Sequence, residues 1–132
     1  MNTKVLLTAS AIVLGLIGLT LNFIPEEILT FIDVESSSTI TILMQILGAL
    51  YLGFAMMNWM AKDALFGGIY NKPMTIGNFM HFGVGALALV KAATSIEHTP
   101  GSIIVLTFVY SIFALSFAYL FFNNPKSVSK NK

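Results

Sequence analysis

The chain has 132 residues, 56% of them hydrophobic and 10% charged, with a net charge of +1 and no cysteine. So much apolar surface exceeds what a water-soluble domain of this size can bury, so lipid has to cover the excess. The missing cysteines exclude disulfides, thiolate metal centres, Fe–S clusters and thiol nucleophiles, and the scattered lysines form no basic patch for a nucleic-acid partner.

Four stretches are long and apolar enough to cross a bilayer, which takes about 20 residues for a hydrocarbon core of ~30 Å. The first runs from Lys4 to Phe23. It is too long for the apolar region of a signal peptide and lacks a small-residue cleavage site, so it reads as a retained transmembrane helix. After it, Pro25 suits the opening turn of a short helix, with Glu26 and Glu27 near its positive end and Ile28, Leu29, Phe31 and Ile32 on an apolar side. Such a helix is expected to lie in the membrane interface. Ser36, Ser37 and Ser38 are expected to end it and cap the second span, Thr39 to Met60. The connection from Ala61 to Pro73 contains Gly67-Gly68 and reads as a turn. Trp59 beside it fits the aromatic belt, with Phe66 and Tyr70 in the headgroups. The third span, Met74 to Ile96, and the fourth, Ser102 to Phe122, complete the set, and Tyr119, Phe121 and Phe122 anchor the last. The expected fold class is therefore all-α: an integral membrane four-helix bundle, up-down-up-down, with one interfacial helix, all in a single domain over residues 1–132.

Charge sets the orientation. Lys4, Lys62, Lys72, Lys126, Lys130 and Lys132 fall at the two ends and in the middle connection, whereas the first connection holds Glu26, Glu27, Asp33 and Glu35, and the third holds Glu97 and His98. The positive-inside rule then places both termini in the cytoplasm.

Helices in lipid associate through close van der Waals approach over small residues. Candidate contact stripes are Ala11, Gly15 and Gly18 on the first span and Gly48, Ala49 and Gly53 on the second. Gly77, His81, Gly85, Ala88 and Ala92 form the third stripe, and Thr107, Ser111, Ala114 and Ala118 the fourth.

Polar groups at membrane depth are costly and mark the places to look for function. His81 stands about two turns into the third span, with Asn78 one turn before it. Tyr51 and Asn58 share a face of the second span, while Gln45 points elsewhere. Tyr51, Asn58, Asn78 and His81 are thus the candidate ligand-binding residues. The alternative is that they serve only as hydrogen-bonded glue between helices. A haem held by two histidines of one chain is excluded, because His98 lies ~25 Å from His81 along the helix. Lys91, on a face with Met80, Val84 and Leu87, can snorkel to the interface or contact an anion or lipid headgroup. No metal-binding set, embedded carboxylate, phosphate loop, serine elbow or HExxH motif occurs, so no cofactor is implied and an enzyme is not expected.

Ile24 to Trp59, with Pro25-Glu26 after the first span and Leu47-Gly48-Ala49-Leu50-Tyr51-Leu52-Gly53 leading to Asn58-Trp59, resembles the small four-helix bacterial membrane proteins of the DoxX-like group. The resemblance implies a bundle in a bacterial cytoplasmic (inner) membrane, serving as a subunit; some members of that group accompany quinone-linked sulfur oxidation. It carries over no catalytic residue. Together these readings lead to an accessory subunit or a binder of a lipid or quinone-like molecule. Its expected partners are membrane lipids and another membrane protein or a second copy of itself. The alternative is a small oligomeric transporter or channel.

Overall fold

A computed structural model describes residues 2–63, 71–95 and 100–123. All regular structure among them is helical: α1 (Thr3–Phe23), α2 (Pro25–Phe31), α3 (Ser38–Ala61), α4 (Asn71–Ser95) and α5 (Gly101–Phe122). Four of these are long and apolar enough to span a membrane, and they fall where the hydropathy pattern puts them. Phe66, Tyr70, the Gly67-Gly68 turn, Ile96, Glu97, His98 and the C-terminal lysines lie outside the described residues. The helix of the third span begins earlier than expected and takes in Pro73, which a first turn tolerates because its amide would have no helical partner there.

The chain divides into two compact units, Met1–Asp63 and Ala64–Lys132. In the first, α1 and α3 run antiparallel. Four pairs fix their register from one end to the other. Lys4 Nζ lies 2.6 Å from Asp63 Oδ1, and Asn58 donates to Ser10 Oγ at 3.0 Å. Gly18 faces Gly48, and the Asn22 amide donates to the Gln45 carbonyl at 3.2 Å while Gln45 reaches back to Asn22. As one residue number rises the other falls, and the two numbers of each pair sum to between 66 and 68, as antiparallel helices in one register require. At Gly18 and Gly48 the backbones approach so closely that a methyl group on either would sit 2.9 Å from the other's carbonyl oxygen. That approach lets the helix surfaces gain dispersion contacts and weak Cα–H···O bonds, the main attractions available in lipid. The expected contact stripe on α3 needs correction: Gly48 and Ala55 are buried, whereas Ala49 and Gly53 face outward.

α2 sits between this pair with Pro25 and Leu29 buried. The serines do not end it. Its stop comes earlier, where Asp33 takes a left-handed conformation (φ 58°). There the Val34 amide bonds the Leu29 carbonyl and the Asp33 amide bonds that of Thr30, satisfying carbonyls that a helix C-terminus leaves open. Ser37 does cap α3, accepting from the Ile40 amide at 3.3 Å.

In the second unit α4 and α5 are also antiparallel, but the contact is aromatic. Phe82 is fully buried. Its ring stacks on Phe113 (4.8 Å between centroids) and Phe117 (5.6 Å) and meets the edge of Tyr110 (5.2 Å). The buried side chains of α5 are thus Tyr110, Phe113, Phe117 and Leu120, not the expected stripe of Thr107, Ser111, Ala114 and Ala118. Those hydroxyls turn back on their own helix: Thr107 donates to Ile103 and Ser111 to Thr107. A hydroxyl satisfied this way needs no neighbouring helix.

Candidate functional site

The predicted polar residues divide between the units, Tyr51 and Asn58 in the first and Asn78 and His81 in the second. Asn58 is wholly buried on α3, and its amide donates to Ser10 Oγ, whose own hydroxyl donates to the Leu7 carbonyl. That relay anchors α3 to α1 and closes a buried polar chain without a charge. Tyr51 is half-buried two turns further back on α3.

Asn78 is also wholly buried, and its amide donates to the Met74 carbonyl at 3.0 Å. One turn on, His81 is half-buried, with Nε2 3.3 Å from the hydroxyl of Tyr110 on α5. The geometry of that pair depends on Gly85. A Cβ there would lie 2.6 Å from Tyr110 Cε1, so the tyrosine ring occupies the space a side chain would fill. The histidine was visible in the sequence as an ionisable group in a span. Tyr110 and Ser10 were not, since a tyrosine among phenylalanines and a serine in an apolar run look like ordinary helix surface. Their signal is the antiparallel register, which sets each opposite a flagged residue.

On another side of α4 the two helices leave a groove of about 560 Å³. Phe79, Gly83, Leu87 and Val90 of α4 and Ser111 and Ala114 of α5 are among the residues that line it. The missing side chain at Gly83 and the small one at Ala114 leave this hollow where the expected stripe on α5 had suggested a helix contact. Leu87, on its rim, is 73% exposed, so the groove is open rather than enclosed. A smaller hollow of about 390 Å³ lies on the first unit, over Ala11, Leu52, Ala55 and Trp59.

Charges cluster at one end of the α1–α3 pair. Lys62 Nζ stands 3.0 Å over the Trp59 ring, and Lys4 holds Asp63. The hydrogen bond from Lys4 is the largest influence on the Asp63 carboxyl and keeps it below the ordinary carboxylate range. A carboxyl lowered in the folded state stabilises it above the unfolded value and loses that contribution as pH falls through its folded value. Here the effect on stability is small, because both groups are exposed and screened. In Lys4→Gln the Asp63 titration midpoint, followed by NMR of the side-chain carboxyl, is expected to rise toward the ordinary value.

Lys91 is exposed on α4, and no carboxylate pairs with it among the described residues. Among the described residues no group of histidine, cysteine or carboxylate side chains could hold a metal. What these elements define is a multi-pass α-helical membrane protein, with buried asparagines in its helix seams and an apolar groove between α4 and α5. No family model matches the chain, and neither a curated protein nor a solved structure does.

Proposed function

We propose that the protein is a non-catalytic membrane module that binds a molecule with a long apolar tail, of the lipid or quinone class, on its α4–α5 unit. The groove is the observation that carries this reading. Its volume lies within the ~300–1,000 Å³ of small-molecule sites, its wall is almost wholly hydrocarbon, and it opens sideways where a chain can enter from the bilayer. His81 and Asn78 lie on another side of α4, outside the wall of the groove, and His81 steadies the seam with α5 through Tyr110. Asn58 does the same for the α1–α3 seam through Ser10, with Tyr51 two turns away on the same helix. The chain would work in a bacterial cytoplasmic membrane with both termini inside, as its lysines suggest.

An accessory subunit is the second reading, favoured by one surface. Gly53 is exposed on α3 with nothing within 4 Å of its Cβ position, and it borders a shallow hollow with Ala49 where a partner helix could approach closely. The transporter reading has less to support it, since none of the four long helices carries a carboxylate for proton coupling.

Native mass spectrometry from mild detergent tests the groove. The wild type is expected to retain a molecule with an apolar tail. Gly83→Leu should remove it while the helices stay packed, because a Cβ at Gly83 meets only Phe79, at 3.8 Å. A wild type that retains nothing, or a Gly83→Leu protein that retains as much as wild type, overturns the reading. His81→Ala, on another side of α4, should fold, insert and retain the molecule as wild type does, and a loss of retention there would place the binding site outside the groove.

A further inference from the structure

The two lysines of α4 are spaced as the two edges of a hydrocarbon core would be. Lys72 and Lys91 are about 19 residues apart, which is ~29 Å of helix and close to the ~30 Å thickness of the hydrocarbon core. With one ammonium at each boundary, mid-membrane falls near His81. The groove, from Phe79 to Val90, then occupies ~16 Å of α4, the depth of a single leaflet on the Lys91 side. Lys91 is the next polar position on the face that lines it: Met80, Val84 and Leu87 all border the groove, and Lys91 follows Leu87 by one turn.

We propose that the groove holds one acyl chain of a phospholipid with a net negative headgroup, and that Lys91 binds that headgroup. The inference rests on the groove as a binding site and names the class of its occupant. Charge complementarity selects the anionic lipid. Neither α4 nor α5 contains an Asp or Glu, so the cation at the mouth of the groove has no counter-ion on its own pair of helices. The smaller hollow on the first unit offers no such cation, because Lys4 is held by Asp63 and Lys62 by Trp59. A long lysine stem reaches the interface while its methylenes continue the apolar wall, which would extend the groove to the depth at which phosphates lie.

The test uses the full chain in nanodiscs of equal parts phosphatidylglycerol and phosphatidylcholine. After transfer to mild detergent, the lipids retained are counted by native mass spectrometry. Wild type is expected to keep one lipid, with phosphatidylglycerol favoured about fivefold, the effect of one lysine near an anionic headgroup. Lys91→Gln should keep a lipid without preference, Gly83→Leu should keep neither, and Lys72→Gln should behave as wild type. If wild type retains both lipids equally while Gly83→Leu empties the groove, the anionic headgroup is wrong and the groove reading survives. A phosphatidylglycerol preference that persists in Lys91→Gln, or disappears in Lys72→Gln, overturns the role of Lys91. A wild type that keeps no lipid overturns both readings.

Discussion

Replacing Gly18 with alanine is expected to destabilise the α1–α3 pair by about 1–3 kcal/mol, the usual cost of forcing extra volume into a close-packed contact. The same change at Gly15, one turn earlier, is expected to be neutral or to stabilise by up to ~1 kcal/mol, the ordinary gain of alanine over glycine in a helix. The geometry separates them. A Cβ at Gly15 would sit 3.7 Å from Ala55 Cβ, an ordinary contact, whereas at Gly18 it would sit 2.9 Å from the Gly48 carbonyl oxygen and 2.9 Å from Leu52 Cγ. A backbone carbonyl cannot swing aside as a side chain can, so the helices themselves must separate. Gly48→Ala should cost a similar amount, since its Cβ meets the Gly18 carbonyl at the same distance. The double substitution should cost less than the two together, because helices already pushed apart accommodate the second methyl. Reversible unfolding in mixed detergent and SDS micelles, followed by circular dichroism, measures each step. Equal effects at Gly15 and Gly18 would mean that α1 and α3 do not meet at this crossing.

The membrane spans were legible because, in lipid, length and apolarity alone decide whether a segment is a helix. Side-chain packing was less legible. On α3, Gly48, Ala49 and Gly53 all satisfy the small-residue rule, but Ala49 and Gly53 share a face that Gly48 does not, and only the register with α1 selects Gly48. On α5 the rule pointed to the wrong face. It assumes that close approach needs small residues on both helices, whereas here Gly85 of α4 makes room for a whole ring from α5, and Phe82 supplies a second surface for stacking. The end of α2 was misplaced for a related reason. Aspartate tolerates the left-handed conformation less readily than glycine, so nothing in the spelling of Asp33 announces the stop. Of the site, His81 and Lys91 stood out as ionisable groups written into an apolar span. The groove belongs to neither helix alone, which is why no single stretch of sequence displays it.

Phe82→Ala is expected to cost about 2–4 kcal/mol, while Phe108→Ala on α5 should leave stability nearly unchanged. In water both would count as hydrophobic losses. In a bilayer the argument differs, because lipid tails are as apolar as the protein interior and moving a ring between them gains little. Phe108 is 68% exposed, so its ring faces lipid in the folded helix and in the separated one alike. Phe82 is fully buried, and its ring contacts Tyr110, Phe113, Phe117 and the edge of His81. Truncation there leaves a cavity whose walls lose their dispersion partners, with ~0.5–1.5 kcal/mol for each well-placed aromatic pair added to that loss. Phe82→Leu should recover part of the difference by refilling volume without restoring the ring contacts. The same unfolding experiment reads all three. Equal costs at Phe82 and Phe108 would show that apolar transfer, rather than the fit of these rings, holds α4 to α5.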